Sequence, residues 1–153
     1  MLRVDVYEEV EADATATGQA AIVVVLAAVC MAVGAWNGGL FSAAWLALME
    51  LGSWLVWAGL TYVIGEKVFD GKATWGELLR TLGFAKAAGV LYLLAVVPVL
   101  GAIVTIVVAV WVSVASFIAI RQALDISNGK TVLTWLVGAA FYNLLQTFPI
   151  FPF

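Results

Sequence analysis

The chain contains no histidine, which removes the commonest general base and the commonest metal ligand together. Its single cysteine, Cys30, stands inside an apolar run, so there is no disulfide framework and nothing fixes the redox compartment. Charge is scarce: 7 Lys and Arg against 10 Asp and Glu in 153 residues leave a net charge of −3. So few basic residues exclude a nucleic-acid partner. Of 3 prolines, two fall in the last residues and the third, Pro98, interrupts an apolar stretch. Polar residues are also too few to cover a soluble domain, because 65% of the chain is hydrophobic. With a mean hydropathy of +1.09, this balance calls for a lipid-facing exterior.

What the chain does contain is a series of apolar runs separated by short polar joints. They predict an all-α fold: a polytopic membrane helix bundle, one domain over residues 1–153, with five transmembrane helices and an N-terminal amphipathic helix. The expected spans are about Ala20–Trp36, Leu40–Ile64, Leu82–Val97, Val99–Ile120 and Val132–Phe148. Residues 1–19 form a cytoplasmic segment in which Leu2, Val6 and Val10 recur at four-residue spacing among acids. The stretch Thr74 to Asp125 organises the rest. It has two apolar arms, Arg80 and Arg121 at their outer ends, and the turn Val97-Pro98-Val99-Leu100-Gly101 between them. Such a pattern predicts a hairpin that dips through the bilayer and returns. Thr74 and Glu77 have capping-box spacing, which starts the third helix, and Trp75, Leu78 and Leu79 are expected in the interface.

Basic residues set the orientation. With five spans, all 7 Lys and Arg fall on the side of the N-terminus, which predicts a cytoplasmic N-terminus and an external C-terminus. Small residues set the packing. Ala102, Thr105, Ala109, Ser113 and Ser116 make one face of the fourth span, and Gly83 with Ala87 and Ala85 with Gly89 do so on the third. Trp54, Trp57 and Trp111 are expected as packing residues deeper in the membrane.

Glu50 is the only acid within a span. At about 1.5 Å per residue it lies ~15 Å from Leu40 and ~21 Å from Ile64. An ionised carboxyl there costs at least ~2.5 kcal/mol, so it is expected protonated or paired. Lys86 stands only ~6 Å inside the boundary at Leu82 on the same scale, some ~15 Å short of Glu50, and is expected to snorkel to the headgroups. The candidate intramembrane polar site is therefore Glu50 with Thr105, Tyr142, Asn143 and Gln146, its carboxyl sealed among apolar side chains. A second candidate, for ion pairs or a lipid phosphate at the cytoplasmic face, comprises Asp13, Glu77, Arg80, Arg121 and Asp125. Glu77 lies three residues before Arg80 and Asp125 four after Arg121, within helical reach.

Tyr7-Glu8-Glu9-Val10-Glu11-Ala12-Asp13, Gly18-Gln19-Ala20, Trp54 and Tyr62 to Gly65 resemble the prokaryotic branch of the Yip family, the Ypt/Rab-interacting membrane proteins. So do Arg80-Thr81-Leu82-Gly83-Phe84-Ala85, Pro98, Trp111 and Ile120-Arg121-Gln122-Ala123-Leu124-Asp125, in the same order along nearly the whole chain. The resemblance implies five spans and a cytosolic N-terminus. Eukaryotic relatives bind small GTPases and one another, serve vesicle trafficking and shape membranes. The family brings no catalytic residues. The expected function is thus non-enzymatic: association with membrane lipids, with itself as a homo-oligomer, or with a membrane-protein partner, as an integral protein of a prokaryotic cell membrane. No catalytic, metal or cofactor-binding residue is expected. The alternative is a small transporter or channel built on Glu50 and the polar groups of the fifth span.

Overall fold

The computed structural model describes residues 9, 10, 12–34 and 39–147, apart from the side chain of Gln146. Among these residues every regular element is helical: α1 Ala16–Gly34, α2 Gly39–Lys67, α3 Trp75–Ala85 running on into a 3-10 helix at Lys86–Val96, α4 Pro98–Leu124 and α5 Asn128–Thr147. Four of the resulting rods are long and apolar enough to cross a bilayer: α1, α2, α3 with its 3-10 extension, and α4. The fifth, α5, has 20 residues and is less apolar. Ile22, Leu40, Val99, Ile106 and Val110 are among many large apolar side chains left exposed, as on a surface that meets lipid.

The start of α3 follows its sequence signature. Thr74 Oγ1 accepts from Glu77 N at 3.3 Å, while Glu77 Oε2 accepts from Thr74 N at 2.7 Å, completing the capping box. Leu78 and Leu79, expected in the interface, are covered by protein: with Leu82 they lie in the core beside Ala20, Val24, Trp54, Ala119 and Ile120. Trp54 Nε1 donates to Leu79 O at 3.1 Å, joining α2 to α3 within that core. Trp54→Phe removes this bond and is expected to cost about 1 kcal/mol, measured by SDS unfolding in micelles. An unchanged midpoint would contradict the assignment. Trp111, expected as a packing residue, is 46% exposed on α4, whereas Ser116, Ile120 and Ala123, further along and round that helix, are buried.

The 3-10 helix explains how α3 keeps contact with α1. Cβ atoms placed on Gly83 and Gly89 would lie 2.8 and 2.6 Å from the Cβ atoms of Ala20 and Ala27, and one on Gly34 would lie 3.3 Å from Ala95 Cβ. The contacts on α1 are spaced by seven residues, roughly 10.5 Å of α-helix. Their partners are spaced by six, and from Gly89 to Ala95, wholly within the 3-10 helix, that makes about 12 Å and two full turns. The small residues of the third rod therefore keep facing α1. On α4 the small-residue face is used only at one end: Ser116 is buried and Ser113 half-buried, whereas Ala102, Thr105 and Ala109 are exposed.

Pro98 opens α4 after Val97, which is extended at φ −82 and ψ 113, so the hairpin turn falls where the sequence placed it. At the other end of the bundle the loop between α2 and α3 is tied to α4. Gly71 N donates to Gly65 O at 2.8 Å and Lys72 N to Leu124 O at 3.1 Å. A Cβ on Gly65 would lie 2.4 Å from Leu124 Cδ1, so a larger residue there would make that leucine shift.

Candidate functional site

Glu50, on α2, is buried with Lys86, the first residue of the 3-10 helix. Lys86 Nζ donates to Glu50 Oε1, forming an ion pair. The Tyr142 hydroxyl on α5 donates to Glu50 Oε2 at 2.7 Å and accepts from Lys86 Nζ at 3.5 Å. Lys86 Nζ also stands 4.4 Å from the centre of the Tyr142 ring and 6.0 Å from that of Trp57. Three rods are thus joined by one neutralised cluster. A Glu–Lys pair in such surroundings repays its desolvation only through close geometry and added hydrogen bonds, and the tyrosine supplies one.

This corrects the expectation that Lys86 snorkels out of reach. Lys86 lies out of reach of Glu50 only if Leu82 marks the membrane boundary and position along a helix equals depth. The third rod is helical from Trp75 and buried by protein from Leu78, so Lys86 stands eleven residues into it, about 16 Å. The 29 residues of α2 span about 43 Å against a hydrocarbon core of roughly 30 Å, so α2 must tilt or protrude. Distance from Leu40 along its axis then overstates the separation.

The carboxyl is not sealed, contrary to expectation. Glu50, Lys86 and Tyr142 border a cavity of about 310 Å³ shared by all five rods, with Tyr92, Trp135 and Asn143 on its wall. The 3-10 geometry helps to build it. Residues three apart eclipse in such a helix, so Lys86, Gly89 and Tyr92 form one straight row along the cavity. In an α-helix Tyr92 would be turned about 120° from Lys86. Trp135 Nε1 donates to Ser116 Oγ at 2.9 Å, closing the wall between α4 and α5.

Of the other members of the expected polar site, Asn143 reaches the cavity wall and Thr105 does not border it. Thr105 Oγ1 donates to Gly101 O at 2.9 Å and Asn143 Nδ2 to Ala139 O at 2.8 Å, each within its own helix. Both residues are exposed. The Gln146 side chain lies outside the described residues. Lys86 is the residue that sequence reasoning set aside, and its i, i+3 and i+6 relation to Gly89 and Tyr92 is the signal that a 3-10 rod would have made visible.

At the opposite end, Asp13, Glu77, Arg80, Arg121 and Asp125 take separate positions. Arg80 is buried; its Nε donates to Val10 O at 3.1 Å and its Nη1 to Thr17 Oγ1 at 3.4 Å, holding the start of the chain against α3. Most of the Leu2–Asp13 segment lies outside the described residues. Asp13 is exposed, and its Oδ1 accepts from Thr15 Oγ1 at 2.6 Å and Thr15 N at 2.8 Å. Those two bonds, with the Arg80 charge as a smaller cause, hold its pKa below the ordinary aspartate value. The stabilisation is therefore present above the ordinary value and is lost as pH falls through the lowered one. Asp125 closes α4 in the left-handed conformation at φ 51 and lies 3.8 Å from Lys72 Nζ, so the expected pairing with Arg121 is replaced by an exposed contact to the neighbouring loop. Arg121 is exposed.

A family model described as the Yip1 domain matches residues 5–148. No curated protein and no solved structure matches the chain.

Proposed function

The chain belongs to the Yip family, and from that premise we propose a non-enzymatic integral membrane scaffold that acts by association with lipid, with itself or with a membrane-protein partner. The observation that carries this reading is the mutual neutralisation of Glu50 and Lys86, with Tyr142 as third member. Glu50 is occupied in tying three rods together, which is the use a scaffold makes of a buried acid. Reconstituted, fluorescently labelled chains should show energy transfer between copies or co-purify with retained lipid. A lipid-free monomer in both assays would sink the reading. A small transporter or channel is the second reading, favoured by the cavity that borders Glu50.

The proposed topology has five spans, with α5 as the last, in a prokaryotic cell membrane. The length of α5 and its packing along α2 support that count. The N-terminus is cytoplasmic and the C-terminus external, supported by the placement of all 7 basic residues. Exposed Arg121 and Lys72 would then face the headgroup phosphates of the inner leaflet. In a Cys30→Ala background, single cysteines at Asn37 and Phe153 should label from outside, and those at Lys72 and Asn128 from inside. Outside labelling at Lys72 would overturn the topology.

A further inference from the structure

The hydrogen-bond balance of the cavity beside Glu50 identifies what it can hold. An ammonium group carries three N–H donors. Among the described residues, Lys86 Nζ meets Glu50 Oε1 and, at the long distance of 3.5 Å, the Tyr142 hydroxyl; no third acceptor reaches it. Lys86 and Glu50 are only 4% and 6% exposed, yet both border the cavity. The Tyr92 and Ser113 hydroxyls face the same space and can also donate. An acceptor placed in the cavity would therefore find donors on its wall.

Charge and shape narrow the guest further. The carboxylate and the ammonium already neutralise each other, so a guest with net charge would bring an unbalanced charge into an apolar interior. Ala27, Met31, Val108 and Val112 make much of the remaining wall apolar. Ala109 both borders the cavity and is exposed on α4, so the cavity communicates with the lipid-facing surface there. Its volume of about 310 Å³ lies at the small end of ligand sites.

We infer that this cavity binds an uncharged, carbonyl-bearing amphiphile drawn from the bilayer, whose carbonyl oxygen accepts a hydrogen bond from Lys86 Nζ. The inference rests on the association reading and names its lipid-like guest. The carbonyl can belong to the ester of a neutral glyceride or to the ring of a quinone, the same acceptor chemistry from two sources.

The test is equilibrium binding to the full chain in detergent micelles. Dioctanoylglycerol and decylubiquinone are the carbonyl probes; hexadecane and dodecyltrimethylammonium are the carbonyl-free and charged controls. Saturable binding of one carbonyl probe per chain is expected, at least roughly tenfold tighter than either control, and the probe that binds identifies the source. Ala109→Trp fills the opening from an exposed position and should weaken binding by at least roughly tenfold. Lys86→Met should do the same if it folds. The inference is overturned if neither carbonyl probe exceeds hexadecane, if the ammonium probe binds more tightly, or if Ala109→Trp binds like the wild type. Self-association that persists in a chain binding neither probe would overturn this inference alone and leave the association reading standing.

Discussion

Glu50→Gln is expected to destabilise the protein by about 3–5 kcal/mol, the scale of a buried ion pair that loses one partner. Lys86 Nζ would remain buried with a neutral amide in place of its counter-charge, and the amide cannot accept from Lys86 and Tyr142 as a carboxylate does. The double variant Glu50→Gln/Lys86→Met removes both charges at nearly constant volume. It should recover most of the loss, because replacing a whole buried pair is often neutral or favourable. Unfolding by SDS in micelles, read by tryptophan fluorescence, measures both. A single variant as stable as the wild type would mean that Glu50 is a neutral carboxyl and that the pair contributes nothing. A double variant as unstable as the single one would mean that Lys86 is not the partner.

Gly34→Ala should be the most damaging single-methyl change in α1. Its Cβ would lie 2.2 Å from Tyr92 O and 3.1 Å from Tyr92 C, both backbone atoms of the 3-10 helix. Backbone cannot swing aside as the end of a side chain can, so either α1 or the 3-10 helix must move. A loss at or above the usual ~1–3 kcal/mol for overpacking is expected. Because Tyr92 lies on the cavity wall, the same variant should disturb the site from a position that does not border it. Gly18→Ala, where a Cβ would meet nothing within 4 Å, is the matched control and should unfold like the wild type.

The apolar runs, the capping box at Thr74 and the turn at Pro98 were legible because each is a local signal: hydrophobic length, side-chain spacing, a missing N–H. So was the Tyr142 contact with Glu50, since a buried carboxyl needs a donor and few were available. What escaped the sequence depends on relations between helices. Lys86 reaches Glu50 because α3 is already helical from Trp75 and because α2 is longer than a bilayer is thick, and neither fact is written in either residue. The run from Lys86 to Val96 reads as ordinary helix by composition, and its 3-10 form follows from the fit of Gly89 and Ala95 to α1. Trp111 looks central by position and faces outward because α4 turns another side to the core. Arg80 carries a local acid in sequence, yet its guanidinium holds Val10 O and Thr17 from the start of the chain.

On the function proposed above, the Glu50–Lys86–Tyr142 cluster ties helices in a protein that works by association. Ion flux in proteoliposomes tests it most directly. Vesicles carrying the wild type and loaded with a pH-sensitive dye, challenged with a proton or monovalent-cation gradient, should relax no faster than protein-free vesicles. Faster relaxation in the wild type, abolished in the folded Glu50→Gln/Lys86→Met protein, would contradict the claim and make the cluster a transport site.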